Sequence, residues 1–162
     1  MGQHGARANR DRRVSGTIPA AVRIDWVREG EFDAGRADGP KIHLDSSAKS
    51  GPGLVDTLLC ALGGCVSTDV VDILAKRRTP VESLYVDLRA ERVDAVPRRL
   101  ARATLNFHIT GAGIERIHAE RAIDLAVNKY CSVRDSLRTD IPVDWTLELN
   151  GVGPLPTEKS PA

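Results

Sequence analysis

Apolar residues near the start of the chain alternate with polar ones, which is the pattern of β-strands with one buried face. Val22, Ile24 and Trp26 lie at every second position. Ile42 and Leu44 repeat the alternation after a turn-like segment that ends in Gly39 and Pro40. Alternation of this kind predicts strands. We therefore expect the fold to open with a β-meander.

The period changes to that of a helix after residues 50–53, where Ser, Gly, Pro and Gly interrupt the pattern. The pattern predicts a helix of about six turns that ends near Lys76 and Pro80. Its apolar residues cover a wide arc of the helix surface: Val55, Leu58, Leu59, Leu62, Cys65, Val66, Val70, Val71, Ile73 and Leu74. A helix of this kind is buried on most sides. Since a small domain has few strands to cover it, we expect a homodimer.

The remaining elements follow at regular intervals. Alternating apolar residues over 84–88 and 105–109, joined around Pro97, predict a long hairpin. A second helix is predicted from Ile114 to Val127, and a last strand over 143–149. The order of strands, helix, two strands, helix and strand indicates an α+β fold with mostly antiparallel sheets.

Two adjacent glycines, Gly63 and Gly64, fall inside the first helix. Each costs about 1 kcal/mol relative to alanine in a helix interior, so the missing side chains need a reason. One explanation is the close approach of another backbone, either from the sheet or from a second copy of the helix. The other is a simple kink or packing notch.

Length, composition and charge indicate how many domains the chain forms and which partners it can bind. The chain has 162 residues with 41% hydrophobic content, enough for one folded domain, which we place at residues 20–150. We expect a mobile basic tail over residues 1–18, which include Arg7, Arg10, Arg12 and Arg13, and a flexible, proline-containing tail over 151–162. A net charge of +1 gives no field that favours nucleic acid or an anionic membrane. With neither a secretion signal nor an apolar run of about 20 residues, we expect a soluble, cytoplasmic protein without a membrane partner.

Two of the three cysteines are candidates for redox chemistry. Cys65 lies in the middle of the long helix, too far from its N-terminus for the helix dipole to lower the pKa of the thiol. Asp69, one turn later, opposes ionisation, so a reactive Cys65 needs a cation from elsewhere, such as an arginine that pairs with both groups. The alternative is that Cys65 is a buried apolar residue. Cys60 faces another side of the helix and is read as a core residue.

The other thiol, Cys131, follows the second helix. Ser132 is placed to cap a further helical turn over 133–137, and a cysteine at such a helix start would feel its dipole. Elsewhere, His43, His108 and His118 fall on separate predicted elements without metal-type spacing, so no metal or cofactor is expected. No Ser, His and Asp arrangement is visible from the spacing either.

The runs over 51–65, 69–74, 121–126 and 129–133 resemble the OsmC/Ohr family, the osmotically inducible and organic hydroperoxide resistance proteins. The motifs Leu-Gly-Gly-Cys, ending at Cys65, and Lys-Tyr-Cys-Ser-Val, around Cys131, carry the resemblance, which covers residues 22 to 149. It implies an OsmC-like fold: an intertwined homodimer with the cysteine helix at its centre and active sites at the interface.

The resemblance also implies an activity and its residues. Cys65 would attack an alkyl or fatty-acid hydroperoxide and become a sulfenic acid, and Cys131 would resolve it to a disulfide that a dithiol such as a lipoylated protein reduces. Arg28 matches the arginine that holds the thiolate, with Arg36 as the second choice. Asp56, nine residues before Cys65 and one methylene shorter than the family's glutamate, would brace that arginine. A ligand-binding dimer, for a small molecule or acyl group, and a thiol redox sensor are the alternatives on the same fold.

Overall fold

A computed structural model describes residues 20–153. The tail expected over residues 1–18 lies outside the described residues, as does 154–162 of the predicted C-terminal tail. Contacts divide the chain into two compact units, the first ending at Pro52 and the second beginning at Gly53.

The first unit contains a three-stranded antiparallel sheet. Its strands are β1 (Arg23–Arg28), β2 (Glu31–Gly35) and β3 (Lys41–Asp45), paired in that order. Strands β1 and β3 confirm the predicted meander. The sequence pattern did not identify β2, which is short and ends in glycine. Its Phe32 pairs with Trp26 on one side and with Leu44 on the other.

The turn between β1 and β2 depends on Gly30. This residue has φ +74°, a backbone region that favours glycine. A Cβ atom at Gly30 would also lie 2.5 Å from the hydroxyl oxygen of Ser46. The Gly30 carbonyl accepts a 2.9 Å hydrogen bond from the Ser46 backbone N–H. A glycine is therefore required both for the turn and for its contact with the loop after β3.

A buried carboxylate organises that loop. Asp45 is 4% exposed and accepts hydrogen bonds from the backbone N–H groups of Ser47, Lys49 and Ser50 and from both serine hydroxyls, at 2.8–3.0 Å. These hydrogen bonds hold the pKa of Asp45 well below its usual range, and the one from the Ser50 backbone N–H has the largest effect. The loop that leads to Pro52 is thus ordered around one charge.

The second unit contains the long helix, a second sheet and the shorter helices. Its elements are α1 (Leu54–Lys76), β4 (Ser83–Arg92), β5 (Leu100–Thr110), α2 (Arg116–Leu125), α3 (Ser132–Asp135) and β6 (Val143–Leu149). A π-helical turn, Ala126–Tyr130, continues α2. The long helix, the hairpin, the second helix and the last strand confirm the prediction, as does the α+β class.

The second sheet has β5 at its centre. Strand β4 pairs with it antiparallel and β6 pairs with it in parallel. The parallel pair follows from connectivity, because the chain crosses over through α2 before β6 and so returns in the direction of β5. Of the four strand pairs in the two sheets, this is the single parallel one among the described residues.

The core of the second unit lies between the sheet and one stripe of α1. The stripe consists of fully buried residues four apart: Leu62, Val66, Val70 and Leu74. Opposite it, β5 buries alternate residues, among them Leu105, Phe107 and Ile109. Other apolar residues of α1 remain exposed, including Leu54 at 55%, Leu58 at 38% and Val71 at 38%. The protomer therefore covers only part of the apolar arc of this helix.

The two helix glycines border open space within the described chain. A Cβ atom at Gly63 would reach only the Leu88 side chain, at 3.4 Å, and one at Gly64 would meet nothing within 4 Å. Close approach of the sheet backbone was therefore the wrong explanation. Approach of a second copy of the helix stays a prediction.

Helix α1 is long and apolar enough to cross a membrane by length and composition alone, contrary to the expectation that the chain has no such apolar segment; core helices of soluble proteins meet the same criterion. After β6, Val152 forms a bridge with Leu149, and the Arg116 guanidinium donates to the carbonyls of Val152 and Gly153 at 2.6 and 2.9 Å. Residues 151–153 are thus tied to the second unit.

Candidate active site

Helix α1 carries Cys65 about three turns from its first residue. The side chain is half-buried and packs against the hydrophobic core beside the buried stripe. Cys60 is exposed, which corrects its assignment to the core: it falls outside the buried stripe of the helix. Only Cys65 of these two thiols therefore faces the packed interior.

The end of the second helix places Cys131. The π-helical turn closes with a 3.0 Å hydrogen bond from the Cys131 N–H to the Ala126 carbonyl. Cys131 then adopts an extended backbone and caps α3, its sulfur accepting a hydrogen bond from the Arg134 N–H at 3.3 Å. The predicted cap, Ser132, is instead the first residue of the helix. The sequence signal for a helix start was right but lay one residue too late, because cysteine is not a common capping residue.

The structure brings Cys65 and Cys131 together. The Cys131 thiol, 3% exposed, lies within hydrogen-bonding reach of the Cys65 sulfur, and both thiols are free. The two candidate thiols of the sequence are therefore neighbours in the second unit.

The two thiols differ in acidity. Partial burial of Cys65 opposes ionisation, but the bonds from Cys131, Val133 and Ser132 outweigh it and lower its pKa. Burial raises the pKa of Cys131 to about 11, and the hydrogen bond to Cys65 adds to that rise. The charge of Asp69 raises the pKa of Cys65, in the direction that the sequence predicted. Of the two thiols, Cys65 is therefore the one that loses its proton first, and Cys131 keeps its proton to higher pH.

In the first unit, Arg28 ends β1 and is paired with Glu31 across the hairpin. Its Nε lies 2.9 Å from a carboxylate oxygen of Glu31, and this hydrogen bond raises the pKa of Arg28 and lowers that of Glu31. Arg36, the second choice, follows β2 and its carbonyl accepts a hydrogen bond from Lys41 at 2.8 Å. The roles of both arginines toward Cys65 stay predictions.

Asp56 has a local partner at the start of α1. Its carboxylate accepts a 3.1 Å hydrogen bond from the Gly53 N–H, within the first turn of the helix. A carboxylate there also interacts favourably with the helix dipole. Stabilising the helix start is thus what Asp56 does in this structure, and its bracing of an arginine remains a prediction.

A histidine cluster in the first unit was not visible from spacing. His43 lies 2.9 Å from Asp33, its partner across β2 and β3, and 3.2 Å from both the Ser50 hydroxyl and Glu31. The hydrogen bond to Asp33 raises the pKa of His43. The Ser50 hydroxyl donates to Asp45, so it does not donate to His43 as the nucleophile of a Ser, His and Asp arrangement would. Predicting β2 would have revealed the Asp33 and His43 pair.

A groove runs along α1 on the side of the glycines. It has a volume of about 440 Å³. It is lined by Asp56, Leu59, Cys60, Gly63, Gly64, Ser67, Val86 and Leu88. Among the described residues, no group of three or more His, Cys, Asp or Glu side chains is placed to hold a metal ion.

A free thiol pair of this kind, one on a long central helix and one after a second helix, defines a class of cysteine-based α+β proteins. The family model for OsmC-like protein matches residues 46–146, more than half of the chain. Protein YhfA of Escherichia coli K12 is 34% identical over 129 residues, which cover 79% of this chain and 96% of YhfA. The chain therefore belongs to the OsmC-like family.

Solved structures agree on the fold. An OsmC-like protein from Mycoplasma pneumoniae is 15% identical with a TM-score of 0.71, over 82% of this chain and 97% of that one. A hypothetical protein from Aquifex aeolicus is 23% identical with a TM-score of 0.70, over 82% and 98%. The organic hydroperoxide resistance protein OhrB of Bacillus subtilis is 12% identical with a TM-score of 0.56, over 81% and 98%. At these identities the likeness shows the fold alone.

Proposed function

We propose that this protein is a cysteine-dependent peroxidase that reduces organic hydroperoxides, such as those of alkyl chains and fatty acids. Membership of the OsmC-like family supports a redox or peroxide-resistance role. The observation that carries the finer proposal is the contact between two free thiols of unlike acidity. Cys65, with the lowered pKa, is suited to attack the peroxide, and Cys131, with the raised pKa, is suited to stay protonated until the second step.

In the first step, the Cys65 thiolate attacks the outer oxygen of a hydroperoxide, ROOH. A sulfur–oxygen bond forms as the oxygen–oxygen bond breaks, and the alkoxide leaves as the alcohol ROH after taking a proton. The sulfur is oxidised by two electrons to a sulfenic acid, and the peroxide is reduced by the same two.

In the second step, Cys131 attacks the oxidised sulfur of Cys65. A disulfide forms, the sulfur–oxygen bond breaks, and the oxygen leaves as water with the proton that Cys131 gives up. Two electrons from a dithiol reductant, such as a lipoylated protein, then return both cysteines to thiols. The mutual influence of the two thiols on their pKa values supports this step, because it requires them to be close neighbours.

Two parts of the proposal come from the family resemblance. Arg28 would stabilise the Cys65 thiolate, and Asp56 would support that arginine. A positive charge near the sulfur would add to the effect of the hydrogen bonds and offset the charge of Asp69.

A homodimer is part of the proposal. Leu58 and Val71 expose apolar surface on α1 that a monomer in water would leave uncovered. A second copy of the same helix presents a matching surface, as twofold symmetry requires.

The test is stopped-flow reaction of the reduced protein with cumene hydroperoxide. Thiol consumption should be fast in the wild type and in Cys60→Ser, and absent in Cys65→Ser. Cys131→Ser should reduce one equivalent of peroxide and stop at a sulfenic acid that dimedone traps. A wild type that consumes no thiol, or a Cys65→Ser variant that matches it, contradicts the proposal.

The groove along α1 favours one second candidate, a binding protein for an acyl chain or similar small molecule. Leu59, Val86 and Leu88 give it apolar walls, and its volume of about 440 Å³ is within the usual range for ligand sites. This candidate predicts tight binding of a fatty acid by calorimetry that Cys65→Ser leaves unchanged. Gly64 lines the groove, and adding a side chain there with Gly64→Leu should abolish that binding.

A further inference from the structure

A second cavity of the second unit lies where the π-helical turn runs into α3. Its volume is about 180 Å³. Its lining includes Val127, Lys129, Cys131, Arg134, Asp135 and Leu137. This volume is below the usual size of a ligand pocket and leaves room for a slender chain of a few atoms. The cavity therefore fits the reactive arm of a molecule better than a whole ligand.

The cavity gives access to one of the two candidate thiols. Both thiols belong to the described part of the chain, and only Cys131 is among the residues that line the cavity. Its backbone is fixed by a 3.0 Å hydrogen bond from the Cys131 N–H to the Ala126 carbonyl. Its sulfur accepts a hydrogen bond from the N–H of Arg134, another lining residue, at 3.3 Å. A molecule that enters the cavity therefore meets Cys131 before Cys65.

The charges around the cavity favour an anion. Lys129 is exposed, and its Nζ lies over the Tyr130 ring, 5.5 Å from the ring centre. The Arg134 guanidinium is anchored by a 3.0 Å hydrogen bond to the Ile141 carbonyl. Asp135 is the one acid in the described lining. Two cations and one acid give a positive balance, which attracts a negatively charged group.

We propose that this cavity is where the reductant enters, and that a thiol with a negative charge nearby attacks the Cys131 sulfur of the disulfide between Cys65 and Cys131. This inference rests on the proposed function, which forms that disulfide. The attacking sulfur bonds to Cys131, the sulfur–sulfur bond of the protein breaks, and Cys65 leaves as a thiolate.

The second thiol of the dithiol completes the reduction. It attacks the reductant sulfur that is bound to Cys131, which forms the disulfide of the reductant and breaks its bond to the protein. Cys131 leaves and takes the proton that the second thiol gives up. The reductant has lost two electrons and the protein disulfide has gained them.

The unlike acidities of the two thiols favour the same direction of attack. In thiol–disulfide exchange, the thiol with the lower pKa leaves faster. The pKa of Cys65 is lowered, whereas that of Cys131 is raised to about 11. Attack on Cys131 expels Cys65. The sulfur at the cavity is therefore also the one whose attack releases the better leaving group.

The test maps the adduct of mercaptoacetate, a probe with one thiol and one carboxylate. Cys60→Ser protein would be oxidised with diamide, treated briefly with the probe, blocked with iodoacetamide and digested at acid pH without reduction. Mass spectrometry should find the probe on the Cys131 peptide and the alkyl label on the Cys65 peptide. An equal or larger amount of probe on Cys65 overturns the proposal, as does a failure of diamide to join the two cysteines.

A charge substitution tests the class of reductant. Lys129→Gln should slow reduction by mercaptoacetate about threefold, the effect of one exposed charge close to the probe. It should not slow reduction by cysteamine, which carries a cation instead. Lys76→Gln, in an exposed lysine at the end of α1, is the matched control and should leave both rates unchanged. Equal slowing of both probes by Lys129→Gln, or no slowing of mercaptoacetate, overturns the anionic class.

The probes also separate this inference from the proposed function. Diamide forms the disulfide without a peroxide, and neither probe needs peroxidase activity. A protein that leaves cumene hydroperoxide unreduced therefore contradicts the proposed function, while the position of the adduct still decides which sulfur the reductant attacks.

Discussion

The Cys131 thiol donates to the sulfur of Cys65, a residue 66 positions earlier in the chain. This contact gives the two cysteines opposite properties, because the donor favours charge on Cys65 while burial keeps Cys131 protonated. A mid-helix thiol, too far from the dipole to be activated by its own helix, thus acquires its acidity from another segment.

Removing the donor should make Cys65 less acidic. We expect Cys131→Ala to raise the pKa of Cys65 by about one unit, since one hydrogen bond to a charged sulfur is lost. Cys131→Ser retains a donor and should shift it less. Thiolate absorbance measured across a pH titration, in a Cys60→Ser background, gives the comparison. Equal values in the alanine and serine variants would count against the hydrogen bond.

Burial of Cys131 should also couple stability to pH. Its pKa is raised to about 11 in the folded protein, against about 8.5 for a free cysteine. Between these values the unfolded chain has lost the proton that the folded chain keeps, so the free energy of unfolding should fall as pH rises. Cys131→Ser cannot titrate in this window. Urea unfolding of the reduced proteins should show a steeper decline for the wild type than for Cys131→Ser, and parallel curves would contradict the assignment.

The choice between Arg28 and Arg36 is open to a direct comparison. Arg28→Met should slow the reaction of Cys65 with cumene hydroperoxide by about tenfold, equivalent to one unit in the pKa of the thiol. Arg36→Met serves as the matched control and should react at the wild-type rate. A slow Arg36→Met variant beside an Arg28→Met variant with the wild-type rate would assign stabilisation of the Cys65 thiolate to Arg36 instead.

The exposed apolar residues of α1 predict where self-association is sensitive to substitution. Leu58→Glu places a charge on that surface and should shift the protein toward the mass of one protomer in sedimentation experiments. Ile117→Glu, at an apolar residue of α2 that is 67% exposed, should keep the assembly of the wild type. A monomeric wild type, or equal behaviour of the two variants, would exclude this surface as the interface.

Much of the fold follows from the sequence pattern, because long elements with one buried face repeat their apolar residues regularly. Helix α1 and the strands β4 and β5 are of this kind. Strand β2 was missed because Phe32 and Ala34 are too few to show an alternation. The parallel pairing of β6 depends on the path of the chain, which local periodicity does not contain.

The candidate site could be predicted from the sequence less completely than the fold. Spacing identified Cys65 and Cys131 as separate candidates, and only the family resemblance implied that they act together. The donors at Ser132 and Val133 are set by how one segment packs on α1, so no motif could reveal them. The pairing of Arg28 with Glu31 likewise required the register of a strand that the sequence did not show.

The central claim is that Cys65 and Cys131 form a catalytic pair, and mapping the product of one turnover tests it most directly. Reduced Cys60→Ser protein would be treated with one equivalent of cumene hydroperoxide and digested without reduction for mass spectrometry. The account predicts loss of two thiols per protomer and a peptide pair joined by a disulfide between Cys65 and Cys131. Recovery of both thiols unmodified, or oxidation of Cys65 that never proceeds to this disulfide, would contradict it.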